Sequence, residues 1–124
     1  MKNKVNKNFQ RKVRHARVRA VISGTAERPR LSVFKSLRGM YIQLIDDVKG
    51  KTVVGVLFKN IDTKKMDAGE RKGKTAVAYM MGKLLAEKAK TAGITTIVFD
   101  RGGYKYQGRV QAVAEGARDG GLKF

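Results

Sequence analysis

The ten residues Asp100-Arg101-Gly102-Gly103-Tyr104-Lys105-Tyr106-Gln107-Gly108-Arg109 concentrate two aromatics, three cations and three glycines. This mixture suits contact with a polyanion. Glycine lets backbone approach a phosphate closely. Tyrosine can stack on an unpaired base or donate to a phosphate, and arginine can reach a phosphate or a base edge. Arg101, Tyr104, Tyr106 and Arg109 are therefore candidate RNA contacts. A second reading of Tyr104 and Tyr106, as caps over a core beneath the loop, stands beside the first. Another candidate set is Ser32, Phe34 and Ser36, which share one face of an alternating segment flanked by Arg28, Arg30, Lys35 and Arg38. An aromatic between small hydroxyl residues can meet RNA, or Phe34 can be core on a two-sided sheet; both readings stand.

Other chemistries find too few groups. Gly73-Lys74-Thr75 ends like a nucleotide-binding loop, but Ala68 stands where that loop needs its first glycine, and no apolar strand segment precedes it. Asp46 and Asp47 lie in a turn with Lys49 and Lys51, and Asp100 follows an apolar run. A metal-dependent nuclease needs several acids converging on metal ions, and Leu31 to Ser36 contains none. Asp100 is read as fixing the loop after it. The chain has no Cys and one His, which removes thiolate and His-cluster metal sites. His15 sits among Arg14, Arg17 and Arg19, without a nearby carboxylate to orient it. It reads as a phosphate or base contact, or as a solvated side chain. No catalytic residue, metal or cofactor is expected.

The elements that position these groups can be read from periodicity. A helix is expected from about Phe9 to Val21, built of Lys, Arg, Gln and Ala. Leu31 to Ser36 alternates as a half-buried strand, with Leu31 and Val33 inward. Met40 to Ile45 and Thr52 to Phe58 complete an antiparallel meander. From Gly73 to Lys90, Val77, Met80, Met81, Leu84, Leu85 and Ala89 recur at helical spacing, and Gly93 ends the helix. Thr95 to Phe99 is uncharged and shows no alternation, which predicts a strand buried on both faces and reached by a helical crossover. Arg109 to Arg118 reads as a last helix stopped by Gly120-Gly121, with Leu122 and Phe124 docking beyond it. The expected fold is α/β: a mixed four-stranded sheet, antiparallel meander plus one parallel strand beside the first, packed by helices.

The charge sets the class of partner. Twenty-eight Lys and Arg oppose ten Asp and Glu, a formal net charge of +18 in 124 residues. Residues 1–38 carry Lys2, Lys4, Lys7, Arg11, Lys12, Arg14, Arg17, Arg19, Arg28, Arg30, Lys35 and Arg38 against the single acid Glu27. A compact domain of this charge repels itself until a polyanion neutralises it. A basic arm over residues 1–22, helical when bound, and one αβ domain over residues 23–124 are the expected organisation, the outline of a nucleic-acid binder. All the N-terminal cations are candidate RNA contacts. No apolar run approaches the roughly 18 residues of a membrane span, and the basic N-terminus lacks a signal peptide's apolar stretch. A soluble intracellular protein is expected. An anionic-membrane binder would want more large apolar residues in the arm than Phe9. A general duplex-binding architectural protein and an RNA-processing enzyme are the other classes weighed.

Val98-Phe99-Asp100-Arg101-Gly102-Gly103-Tyr104-Lys105-Tyr106-Gln107-Gly108-Arg109-Val110 closely resembles the signature of the bacterial large-subunit ribosomal protein eighteen family. Arg28-Pro29-Arg30-Leu31-Ser32-Val33-Phe34-Lys35-Ser36 resembles that family's first strand, Tyr41-Ile42-Gln43-Leu44-Ile45-Asp46-Asp47 its second, and Ala117 to Phe124 its C-terminus. Gln107 stands where the family commonly has His, a departure that bears on any role needing an imidazole and leaves the fold untouched. The stretch Lys59 to Arg71 matches no family pattern. The resemblance implies a ribonuclease-H-like sheet without catalytic acids, and a structural part in the large ribosomal subunit of the cytoplasm. It further implies binding of 5S rRNA, contacts with 23S rRNA and the neighbouring 5S-binding ribosomal protein five in the central protuberance, and no membrane, enzyme activity or homo-oligomer.

Overall fold

The computed structural model describes residues 7–19, 23–35, 39–61, 73–101 and 104–124. In chain order the elements are α1 (Lys7–Arg19), β1 (Arg30–Lys35), β2 (Met40–Asp46), β3 (Lys51–Leu57), a short 3-10 turn (Phe58–Asn60), α2 (Gly73–Thr91), β4 (Val98–Asp100) and α3 (Arg109–Asp119). The strands form one sheet in the order β3-β2-β1-β4. β1 is antiparallel to β2 and parallel to β4, and β2 is antiparallel to β3. This is the mixed sheet expected from the sequence, with the fourth strand beside the first.

One face of the sheet makes the core. Alternation along β1 and β2 turns Leu31, Val33, Met40, Ile42 and Leu44 inward, where Val54 and Val56 of β3 join them. α2 and α3 supply Met81, Leu85, Val110, Val113 and Ala117 to the same cluster. α2 is buried on more than one side because the sheet lies on one flank and α3 on another. The two helices approach closely at glycines. A Cβ on Gly116 would lie 2.1 Å from the Tyr79 carbonyl oxygen, and one on Gly82 would lie 2.3 Å from that of Val113. The Tyr79 hydroxyl also donates to the Asp119 carboxylate across this contact.

Both helices stop in the same way. Ile94 N–H donates to Ala89 C=O and Gly93 N–H to Lys90 C=O after α2; Leu122 N–H to Ala117 C=O and Gly121 N–H to Arg118 C=O repeat the pattern after α3. Gly93 (φ +80°) and Gly121 (φ +106°) take the left-handed position that this Schellman arrangement requires.

One expectation fails. Thr95 to Phe99 is not a strand buried on both faces: the ladder covers only Val98–Asp100, Thr95 is exposed, and Val98 and Phe99 are half-buried. The reason is position: β4 is an edge strand, paired only with β1. Its apolar residues are satisfied piecemeal. Ile94 and Ile97 enter the core, Phe99 stacks on Phe124 at 5.7 Å, and Thr96 bridges Lys123 beyond the ladder. The helix expected from about Phe9 to Val21 is α1, described over Lys7–Arg19; Ala20 and Val21 lie outside the described residues.

Candidate nucleic-acid interface

The outer face of the sheet carries Arg30, Ser32 and Phe34 on β1. Beside them in register lie Ile45, Gln43 and Tyr41 on β2, and Gly55 and Leu57 on β3. Tyr41 lies across Gly55, its hydroxyl 2.7 Å from where a Cβ would stand. Thr52 Oγ1 donates to Gln43 Oε1 at 2.9 Å. Phe34 is 58% exposed, so the core reading of this ring does not hold.

α1 flanks this face, and none of its described side chains belongs to the core cluster. The Arg11 guanidinium lies 5.1 Å from the centroid of the Tyr104 ring, and Lys35 Nζ lies 4.9 Å from it. The Tyr104 hydroxyl donates to Lys35 C=O at 3.1 Å, tying the loop after β4 to the end of β1. Arg109 Nη1 reaches the Gly39 carbonyl oxygen at 3.5 Å. Burial, then the charges of Arg109 and Arg11, hold the Lys35 ammonium below its usual pKa of 10.5. Three cations thus press on one another at the rim of the sheet. Between α1 and the sheet lies a groove of about 400 Å³ lined by Arg11, Lys12, Ser32, Val33, Phe34, Tyr41, Gln43 and Tyr104. A second recess of about 340 Å³, on the other side of Phe34 and Tyr41, runs past Leu57 and Phe58 to Lys59.

Two sequence-predicted contacts have different roles. Arg30 is 7% exposed: Nε and Nη2 donate to the Asp47 carboxylate at 2.9 and 3.0 Å, and Nη1 donates to Asp100 Oδ2 at 2.8 Å. With Nε, Nη1 and Nη2 all donating to carboxylates, this arginine is engaged in holding the fold. Asp47 in turn accepts from Gly24 N–H at 2.6 Å, so the cluster fastens the segment before β1, the β2–β3 turn and the end of β4. Tyr104 is buried under Arg11 and Lys35, which is the capping role and not the stacking one. Asp100, wholly buried, fixes the start of its loop through Arg30 as expected. Asp46 accepts from Val48 and Lys49 N–H in the hairpin turn. All three carboxylates are therefore occupied in holding the fold.

The remaining candidates divide. Ser32, Lys35, Arg101 and Arg109 are half-buried, and Arg28 is exposed. Tyr106 is 43% exposed and meets Phe99 edge-on at 6.0 Å. Arg11, Lys12 and Arg14 lie on α1. Lys7, His15, Arg17 and Arg19 lie on α1 as well, and their side chains are outside the described structure. Lys2, Lys4, Ser36, Arg38, Gly102 and Gly103 are outside the described residues, as is most of the Lys59 to Arg71 connection. Among the described residues, no cluster of His, Asp and Glu could hold a metal ion, and no helix is long and apolar enough to cross a membrane.

Residues 5–124 match the family model for ribosomal L18 of archaea, bacteria, mitochondria and chloroplast. The chain belongs to the ribosomal L18 family. Its members are ribosomal proteins of the large subunit, not enzymes. Among its relatives, the large ribosomal subunit protein uL18 of Desulfotalea psychrophila is 52% identical over 95% of both chains. That of Alkaliphilus oremlandii is 50% identical over the whole of both, and that of Herpetosiphon aurantiacus 54% over 90% of both. For a ribosomal L18 protein, the outer face adds two residues that the sequence reading passed over, Tyr41 and Gln43. The signal was present: Met40 to Asp46 alternates, and a hairpin register that turns Ile42 inward sets Tyr41 beside Phe34.

Proposed function

We propose that this ribosomal L18 protein binds 5S rRNA and helps attach it to 23S rRNA in the central protuberance of the cytoplasmic large subunit, beside the 5S-binding ribosomal protein five. The observation that carries the reading is the gathering of Arg11, Lys12, Lys35 and Arg109 around one open, aromatic-bearing sheet face. Phosphates are the counter-charges that such a gathering of cations attracts. The division of labour follows from position. The N-terminal cations, from Lys2 and Lys4 through α1 to Arg19, supply sequence-independent attraction. Ser32, Phe34, Lys35, Arg101, Tyr106 and Arg109, together with Ser36 and Arg38 next to β1, meet the RNA on an edge fixed by the sheet. A contact on a rigid element discriminates shape better than one on a free tail.

Competition filter binding tests this. The protein should retain labelled 5S rRNA against an excess of an unrelated structured RNA of the same length. Replacing Arg101 and Tyr106 with Ala should reduce that preference and barely change binding to the unrelated RNA. Equal affinity of the unaltered protein for both RNAs would leave only a general polyanion binder.

A further inference from the structure

We propose that the edge of β3 away from β2 is held closed against a second copy of this chain by two side chains, Lys88 and Asn60. The inference does not depend on the RNA-binding reading, and it concerns the end of the sheet remote from β4.

A strand at the end of a sheet presents a row of N–H and C=O groups to which another strand can pair. Two copies of one chain meet there most simply by a two-fold axis, β3 antiparallel to β3. The sheet has two such ends, β3 and β4, and the chain treats them differently. Beside the approach to β4, its own C-terminal segment stands in part where a fifth strand would. Ile97 N–H donates to Lys123 C=O at 3.0 Å, Lys123 N–H donates to Thr95 C=O at 2.9 Å, and the Phe124 ring stacks on Phe99. Among the described residues, β3 is paired with β2 alone.

Side chains take over at β3. Alternate residues of an antiparallel strand turn their backbone groups away from the partner strand. Gly55 and Leu57 stand in that relation. Lys88, reaching across from α2, donates from Nζ to Gly55 C=O at 3.4 Å. Asn60, in the turn after β3, accepts Leu57 N–H on Oδ1 at 2.9 Å. An acceptor and a donor of the edge are thereby engaged. The backbone adds a third obstacle. Val53 is an extra residue between Val54, opposite Leu44, and Thr52, opposite Ile45. A bulge of this kind breaks the repeat that an incoming strand would follow. The edge would otherwise be attractive, because Val53 and Leu57 are 37% and 39% exposed on it. The net charge of +18 opposes pairing while the protein is alone. A polyanion that neutralises that charge removes the opposition, whereas Lys88 and Asn60 act on the edge itself.

Sedimentation equilibrium of the full chain in about 1 M salt, where repulsion is screened beyond ~3 Å, tests this. The unaltered chain should be monomeric. Lys88→Ala together with Asn60→Ala, both at exposed positions, should tighten self-association to a dimer by at least about tenfold. Lys88→Arg with Asn60→Asp keeps a donor and an acceptor and should stay monomeric. Leu57→Pro added to the alanine pair should return it to a monomer. Leu57 N–H donates to Asn60 and not to β2, and its φ of −98° lies near the proline range, so the ladder remains while the edge donor is lost. A dimer of the unaltered chain would overturn the inference. So would an alanine pair that stays monomeric with an unchanged thermal melt, or a dimer that survives Leu57→Pro. If the alanine pair does not fold, Lys88→Ala alone decides: tighter self-association is expected, and none would overturn the proposal.

Discussion

Arg30 and Lys35 stand at opposite ends of β1, and their surroundings set opposite consequences for their charge. Arg30 has two carboxylates on it, and Asp47 before Asp100 raises its pKa, so it stays charged throughout the accessible range. Arg30→Ala would leave Asp100 wholly buried without that cation, and breaking a buried pair by removing one partner costs about 3–5 kcal/mol. Denaturant melts should register a loss of that order; a loss below about 1 kcal/mol would show that the cluster is solvated. Lys35 behaves in the reverse sense. Burial, then Arg109 and Arg11, depress its pKa, so the unfolded chain binds the proton more tightly. Stability should therefore rise with pH through the alkaline window between the depressed value and 10.5, as Lys35 sheds its proton in the folded state. Lys35→Met should remove this rise from melts across that window, without loss of stability at neutral pH, while weakening RNA binding. Composition made both residues candidate RNA contacts. What separates them is three-dimensional: Asp100 reaches Arg30 across 70 residues of sequence, a proximity that no local spacing encodes.

The two C-terminal helices meet through glycine, and that contact sets their separation. Gly116→Ala would place a methyl 2.1 Å from the Tyr79 carbonyl oxygen, which is backbone and cannot swing aside. Overpacking of this kind costs about 1–3 kcal/mol. A denaturant midpoint lowered accordingly, with the far-ultraviolet helix signal retained, is the expected outcome; an unchanged midpoint would mean that α3 moves freely on α2. The elements themselves were legible because apolar and polar residues alternate in β1 and β2, and because apolar residues return every three or four positions along α2, although α2 is buried on more than one side. β4 was misjudged because a run of β-branched residues reads as doubly buried whether helices cover it or an aromatic pair such as Phe99 and Phe124 shields one side. The candidate site was legible in part. Phe34 and the cations could be read directly, but the burial of Tyr104 required the pairing of its loop with the end of β1.

At the scale of the whole molecule, charge and core are segregated. α1 carries Lys7, Arg11, Lys12, Arg14, Arg17 and Arg19, and none of its described side chains joins the core cluster. Deleting residues 1–20 should leave the melting temperature within a few degrees of its original value. Each phosphate no longer neutralised should reduce the slope of log K against log salt by about 0.7–0.9. An unchanged slope would show that the arm contributes no phosphate contacts. The parallel pairing of β1 with β4 has a different consequence, one of order in time. The β1–β2–β3 meander closes through short turns, whereas Arg30 and Asp100 meet only after a 70-residue loop has closed. Loop-closure entropy must be met before such a distant contact repays it. During synthesis the hairpins can assemble while β4 is still unmade, leaving the β1 edge unpaired and Arg30 without one of its carboxylates. The sheet is therefore completed by the last strand to join it, and a nascent chain is kept from presenting its finished outer face until most of the domain exists.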